Sequence, residues 1–144
     1  MLRALSDPKI DALKKVSLFA RCSDTELRFV ASEADEVDIA AGRTLIRQGE
    51  PGDTFYVLLD GEAEVVIDGN HIRTIRAGDY FGEISMLDGG PATATVSTRT
   101  PVRAMVMSHS QFRDAIKGND QLLIQVLAAV AGRLRADLQR ERKA

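Results

Sequence analysis

Gly82, Glu83 and the run from Gly89 through Thr93 are the residues of this chain best suited to chemistry. Gly82 permits backbone torsions and a close approach that a side chain would forbid. Glu83 and Ile84 open a short helical turn, Gly89 and Gly90 end it, and Pro91 stops anything helical. The first turn of a helix presents free N–H groups and partial positive charge, so such a turn cradles an anion. The acid beside it accepts hydrogen bonds from a sugar hydroxyl. Phosphate and sugar held in one loop between strands point to a nucleotide pocket. The plainer alternative makes Glu83 a helix-start carboxylate, favoured there electrostatically.

Such a loop needs strands to carry it, and the pattern around it supplies them. The segment before residue 36 is helical. Asp7-Pro8 opens a first helix with Ile10 and Leu13 on its apolar face, and Ser23 with Glu26 forms a capping box ahead of Leu27, Val30 and Ala31. Val16, Leu18 and Phe19 link the two. From Glu36 to Ser108 the period shortens to strands and turns. Val37–Ile39, Thr44–Arg47, Thr54–Leu59, Ala63–Ile67, His71–Ile75, Thr93–Thr98 and Val102–Met107 read as strands, with another entering the loop at Asp79. About eight short strands at these spacings predict a mainly β fold with flanking helices, built as an eight-stranded double-sheet jelly-roll β-barrel. Beyond Ser108 the chain is helical again. Ser108 or Ser110 caps a helix bearing Phe112, Ala115 and Ile116, and Gly118-Asn119 breaks it. Leu123, Leu127, Val130, Leu134 and Leu138 then form a stripe along a long final helix, widened by Leu122, Val126 and Ala129.

Phe81-Gly82-Glu83-Ile84-Ser85-Met86-Leu87, followed by Pro91-Ala92-Thr93-Ala94-Thr95-Val96, resembles the phosphate-binding cassette of cyclic-nucleotide-binding domains, as found in catabolite activator proteins and protein kinase A regulatory subunits. The run from Gly49 to Gly61 is similar to a second signature of that family, so the resemblance spans about residues 12–138. It implies Gly82, Glu83, Ile84, Ala92 and Thr93 as the ligand-binding positions. The amides of Gly82, Glu83 and Ala92–Thr93 would face the phosphate, and Glu83 would accept the ribose 2′-OH. The family places an arginine directly after the proline to grip the phosphate, and this chain has Ala92 there. Arg43, Arg47, Arg99 and Arg103 are the candidates for a substitute, each otherwise a solvated face residue. The implied ligand is cyclic AMP or cyclic GMP, with no further cofactor. The alternative is a degenerate, non-binding domain used for dimerisation or protein interaction.

Size and composition fit one domain over residues 1–144, divided into N-terminal helices (1–35), a β-roll (36–108) and C-terminal lid or dimer helices (109–144). With 44% hydrophobic and 28% charged residues and a net charge of −2, the chain has no global basic field for nucleic acid. Cys22, the one cysteine, reads as a small half-buried residue and suits a reducing cytoplasm. No apolar run reaches the roughly 20 residues of a membrane span. His71 and His109 stand far apart without a metal-ligand motif, so catalytic and metal residues are expected to be none. The final helix is expected to act as lid and homodimer seam. No helix-turn-helix follows Leu138, so a stand-alone module or an excised domain is expected, with the Met1 start and charged end favouring the former.

Overall fold

Helical spacing gives way to strand alternation at Asp35, and the architecture divides there. The computed structural model describes residues 8–143, so Asp7 lies outside the described residues. Helix α1 spans Pro8–Lys14, a 3-10 turn covers Ser17–Phe19, and α2 spans Asp24–Glu33. The capping box forms as expected: Ser23 Oγ accepts from the Glu26 amide at 3.1 Å and Glu26 Oε1 accepts from the Ser23 amide at 2.8 Å. Eight strands follow: β1 Asp35–Ile39, β2 Thr44–Ile46, β3 Thr54–Asp60, β4 Ala63–Ile67, β5 Asn70–Ile75, β6 Tyr80–Phe81, β7 Thr95–Thr98 and β8 Val102–Ser108. A short helix α3, Glu83–Asp88, separates β6 from β7, and α4 (His109–Ile116) and α5 (Asp120–Lys143) close the chain.

The strands pair into two antiparallel four-stranded sheets, in the orders β1-β8-β3-β6 and β2-β7-β4-β5. This is the double-sheet arrangement that the turn spacing implies. β3 and β8 are apolar on both faces because both faces are covered. Leu58, Val102 and Ala104 point between the sheets, where they meet Ala63, Ile75 and Val96. Phe55, Val57, Met105 and Met107 point outward under the helices, where Leu13, Phe19, Leu27, Phe112 and Leu122 pack on them. Cys22 is partly exposed at the edge of this layer, and burial and the Glu26 carboxylate push its thiol pKa up.

Two departures from the expected pattern stand out, and the first concerns the loop after α3. β7 starts at Thr95, two residues later than its sequence pattern suggests. Pro91 bridges to Pro51, and Ala92 is tied into the same loop by the Gly49 amide on its carbonyl at 2.9 Å. The second departure lies in β5, whose alternation is broken by a register shift.

Two glycines hold α3 against the sheets. Gly82, its N-cap, has φ +91°, and a Cβ there would lie 2.5 Å from the Thr54 carbonyl oxygen. Gly52 faces α3 from the β2–β3 loop, and a Cβ on it would fall 2.3 Å from Ser85 Oγ and 2.5 Å from Ser85 Cβ. The loop and α3 can therefore meet only without a side chain between them. Gly52→Ala is expected to lower unfolding free energy by about 1–3 kcal/mol, read from the urea midpoint. Gly52→Ala combined with Ser85→Gly should be destabilised by less than the two single changes together.

Candidate functional site

Between the second sheet, α3 and α5 lies a cavity of about 500 Å³. Its floor is apolar: Val65, Phe81 and Val96 line it and also belong to the core between the sheets. Gly82, Glu83, Ile84, Ala92 and Thr93 all stand in its wall, so the fold brings the five sequence candidates to one place. Gly82 and Gly89 bracket α3 in left-handed backbone, as their positions in the sequence suggest.

The polar groups are arranged differently from the expectation at two points. The Ala92 amide donates to the Glu50 carbonyl at 2.8 Å, so it is engaged within the loop and does not face an anion. Arg43, Arg47, Arg99 and Arg103 are all exposed and none lines the cavity. Arg103 pairs with Asp38 and Glu36 at 3.0 and 3.2 Å, and Arg99 with Glu64 at 3.8 Å. The position after Pro91 thus has no stand-in among these four.

The cations at the cavity are Arg73 from β5 and Arg133 and Arg140 from α5. Glu83 is 1% exposed, and its Oε2 accepts from Arg133 Nη1 at 2.8 Å. An ionised carboxylate has about four acceptor positions, so this bond leaves Glu83 free to take a hydroxyl as well. Arg140 pairs with Asp137, which also lines the wall. Three arginines against two carboxylates leave the wall one positive charge in excess. Burial lowers the Arg73 pKa, and the like charge of Arg133 adds to that; Glu83 and Asp79 oppose it. Burial and Glu83 raise the Tyr80 pKa, keeping that phenol protonated.

Sequence signals for Arg73 and Arg133 were present. Arg73 stands two residues before Ile75, which is fully buried, so strand period places a cation on the inward side of β5. Arg133 lies seven residues after the buried Val126, on the α5 face that returns to the domain every two turns. The remaining chemistry-bearing residues are structural. His109 Nε2 is 3.1 Å from the Met86 carbonyl and ties α4 to α3, while His71 is exposed. Among the described residues no group of three His, Cys, Asp or Glu side chains is placed to hold a metal, and no helix is long and apolar enough to cross a membrane.

A family model described as the cyclic nucleotide-binding domain matches residues 36–119. Over 103 residues, 70% of this chain, the sequence is 34% identical to a cAMP-dependent protein kinase regulatory subunit of Emericella nidulans. Over 130 residues, 87% of this chain, it is 30% identical to a CRP-like cAMP-activated global transcriptional regulator of Mycobacterium tuberculosis. The chain spans 25% of the length of the first relative and 58% of the second. In structure it is similar to the N-terminal domain of a transcriptional regulator from Streptomyces coelicolor, with a TM-score of 0.72 and 31% identity, covering 88% of this chain and 94% of that one. These likenesses bear out the resemblance carried by the cassette.

The Glu83–Arg133 bond makes a stability prediction. Arg133→Met leaves a buried carboxylate without its partner and is expected to lower unfolding free energy by about 1–3 kcal/mol. Adding Glu83→Gln should recover part of that loss, giving a non-zero coupling in a double-mutant cycle read by urea denaturation.

Proposed function

The chain belongs to the cyclic nucleotide-binding domain family, and on that premise we propose that its cavity is a regulatory site for cyclic AMP or cyclic GMP. The observation that carries this reading is Glu83: a buried acid in a cavity wall whose charges, Glu83 included, sum to one positive charge. Glu83 accepts the ribose 2′-OH while Arg133 holds its other side. A singly charged phosphodiester balances the wall. Gly82, Ile84 and Thr93 frame the ligand beside it, and Ala92 contributes shape without charge. α5 is the lid, because Ala129, Arg133 and Ala136 reach the cavity from one face of it. The module binds and signals and does not catalyse; its lone cysteine suits a cytoplasmic setting.

Losing a charged partner for the phosphate costs roughly 2–5 kcal/mol, or about 30-fold to several thousand-fold in affinity. The cassette alone therefore gives weak binding. Calorimetry is expected to detect at least one of the two nucleotides with a dissociation constant of about 1 mM or tighter; no heat with either one overturns the proposal. Ala92→Arg should tighten binding by about tenfold or more, read as a larger thermal shift at fixed nucleotide concentration.

A separate observation favours self-association, whether or not a nucleotide binds. Ile124, Leu127, Leu134 and Leu138 on α5 are 54%, 51%, 58% and 49% exposed. With Ala131 they recur at alternating steps of three and four, the spacing of a two-helix seam. We infer that α5 pairs with α5 of a second copy, or else covers a protein partner of the same apolar character. Sedimentation velocity should show a dimer, and Leu134→Glu should convert it to monomer with little change in melting temperature. A wild-type monomer at tens of micromolar would remove the dimer.

A further inference from the structure

Arg73 reaches the cavity from the inward side of β5, beside an irregularity in that strand. Val65 pairs with Arg73 and Val66 with His71, so Ile72 has no partner across the ladder. A bulge of this kind re-aims the side chains around it, and here two neighbours in sequence, Ile72 and Arg73, both line the cavity. The Arg73 side chain is half-buried. It makes no hydrogen bond or ion pair with any described residue, and only the fields of Arg133, Glu83, Asp79 and Tyr80 act on it. The other two cations of the wall are engaged, Arg133 by Glu83 and Arg140 by Asp137. At the cassette, Ala92 brings no charge.

We propose that Arg73 holds the phosphate of the bound cyclic nucleotide in place of the missing cassette arginine. The proposal rests on reading the cavity as a cyclic-nucleotide site. A guanidinium in a partly dehydrated wall gains most from a bidentate anionic partner. Arg73 and Arg133 repel each other across that wall, and one phosphodiester beside them relieves the repulsion while satisfying the unused donors of Arg73. The cation that grips the phosphate then stands on β5 and not in the loop after α3, both of which line the cavity. The competing role for such a guanidinium is to read a base, since it also pairs with O6 and N7 of guanine.

The test is calorimetric titration of the whole chain with cyclic AMP and cyclic GMP, using the wild type, Arg73→Gln, and Arg73→Gln together with Ala92→Arg. Arg73→Gln is expected to weaken both nucleotides alike, by about 30-fold or more, and the added Ala92→Arg to restore much of the loss. Circular dichroism and thermal melting establish that each variant is folded. If Arg73→Gln is not, Arg73→Lys replaces it: that change keeps a charge but loses the planar fork, and should weaken both nucleotides by a smaller, equal factor. Unchanged binding in a folded variant overturns the proposal. So does a loss confined to cyclic GMP, which would make Arg73 a base-reading group. Failure of the wild type to bind either nucleotide is a different result: it removes the proposed function itself, and the role of Arg73 with it.

Discussion

A carboxylate that is almost wholly buried needs a partner to replace the water it gives up, and in this fold that constraint falls on Glu83. Its partner, Arg133, stands 50 residues later in the chain, on the final helix. The bond therefore joins the two parts of the molecule most distant in construction: a six-residue helix between strands, and a 24-residue helix that follows the last strand. Arg133 keeps its own side chain 31% exposed, so most of the desolvation falls on the acid. The pair sets how near α5 comes to the cavity. Remove the acid and the helix loses its polar anchor there; remove the arginine and the buried acid loses its hydrogen-bond partner.

The cavity is best understood as the open end of the core between the sheets. Val65, Phe81 and Val96 pack with that core and also form the cavity floor. Polar groups are confined to the wall and rim, where α3, β5 and α5 meet. An apolar floor with a few placed charges is the usual composition of a small-molecule site. Here the floor costs the fold nothing extra, because the same side chains seal the space between the sheets. The helix layer on the outer side of the first sheet is a second core, joined to the cavity wall through α3, which gives it Met86, and through Ala129 of α5.

The architecture was legible because its signals are local: alternation, turn residues and the Ser23–Glu26 capping box each act within a few positions. Gly82, Gly89 and Pro91 marked the cassette for the same reason. β6, only two residues long, exists through its pairing with Tyr56 and Val57, which no local pattern records. The later start of β7 has a similar cause, the tie between Ala92 and the loop at Glu50. Arg43, Arg47, Arg99 and Arg103 are exposed, as their plainer reading as solvated face residues had it. Arg73 was missing from the candidates although its strand parity turns it inward. On α5 the stripe from Leu123 to Leu138 merged neighbouring faces. Leu122 and Val126 enter the core, Ile124 and Leu134 face outward, and Arg133 lies between.

That division of α5 has a consequence for how the chain can vary in length. One helix carries a core face, a cavity face and an outward apolar face, and each is defined only by its phase relative to the others. At 3.6 residues per turn, one inserted residue rotates everything beyond it by about 100°. An insertion after Val126 would swing Arg133 away from Glu83 and bring Gly132 to its place at the cavity, although every residue type would be retained. The final helix is thus an element whose residue count is not free to drift, because its three faces share one phase.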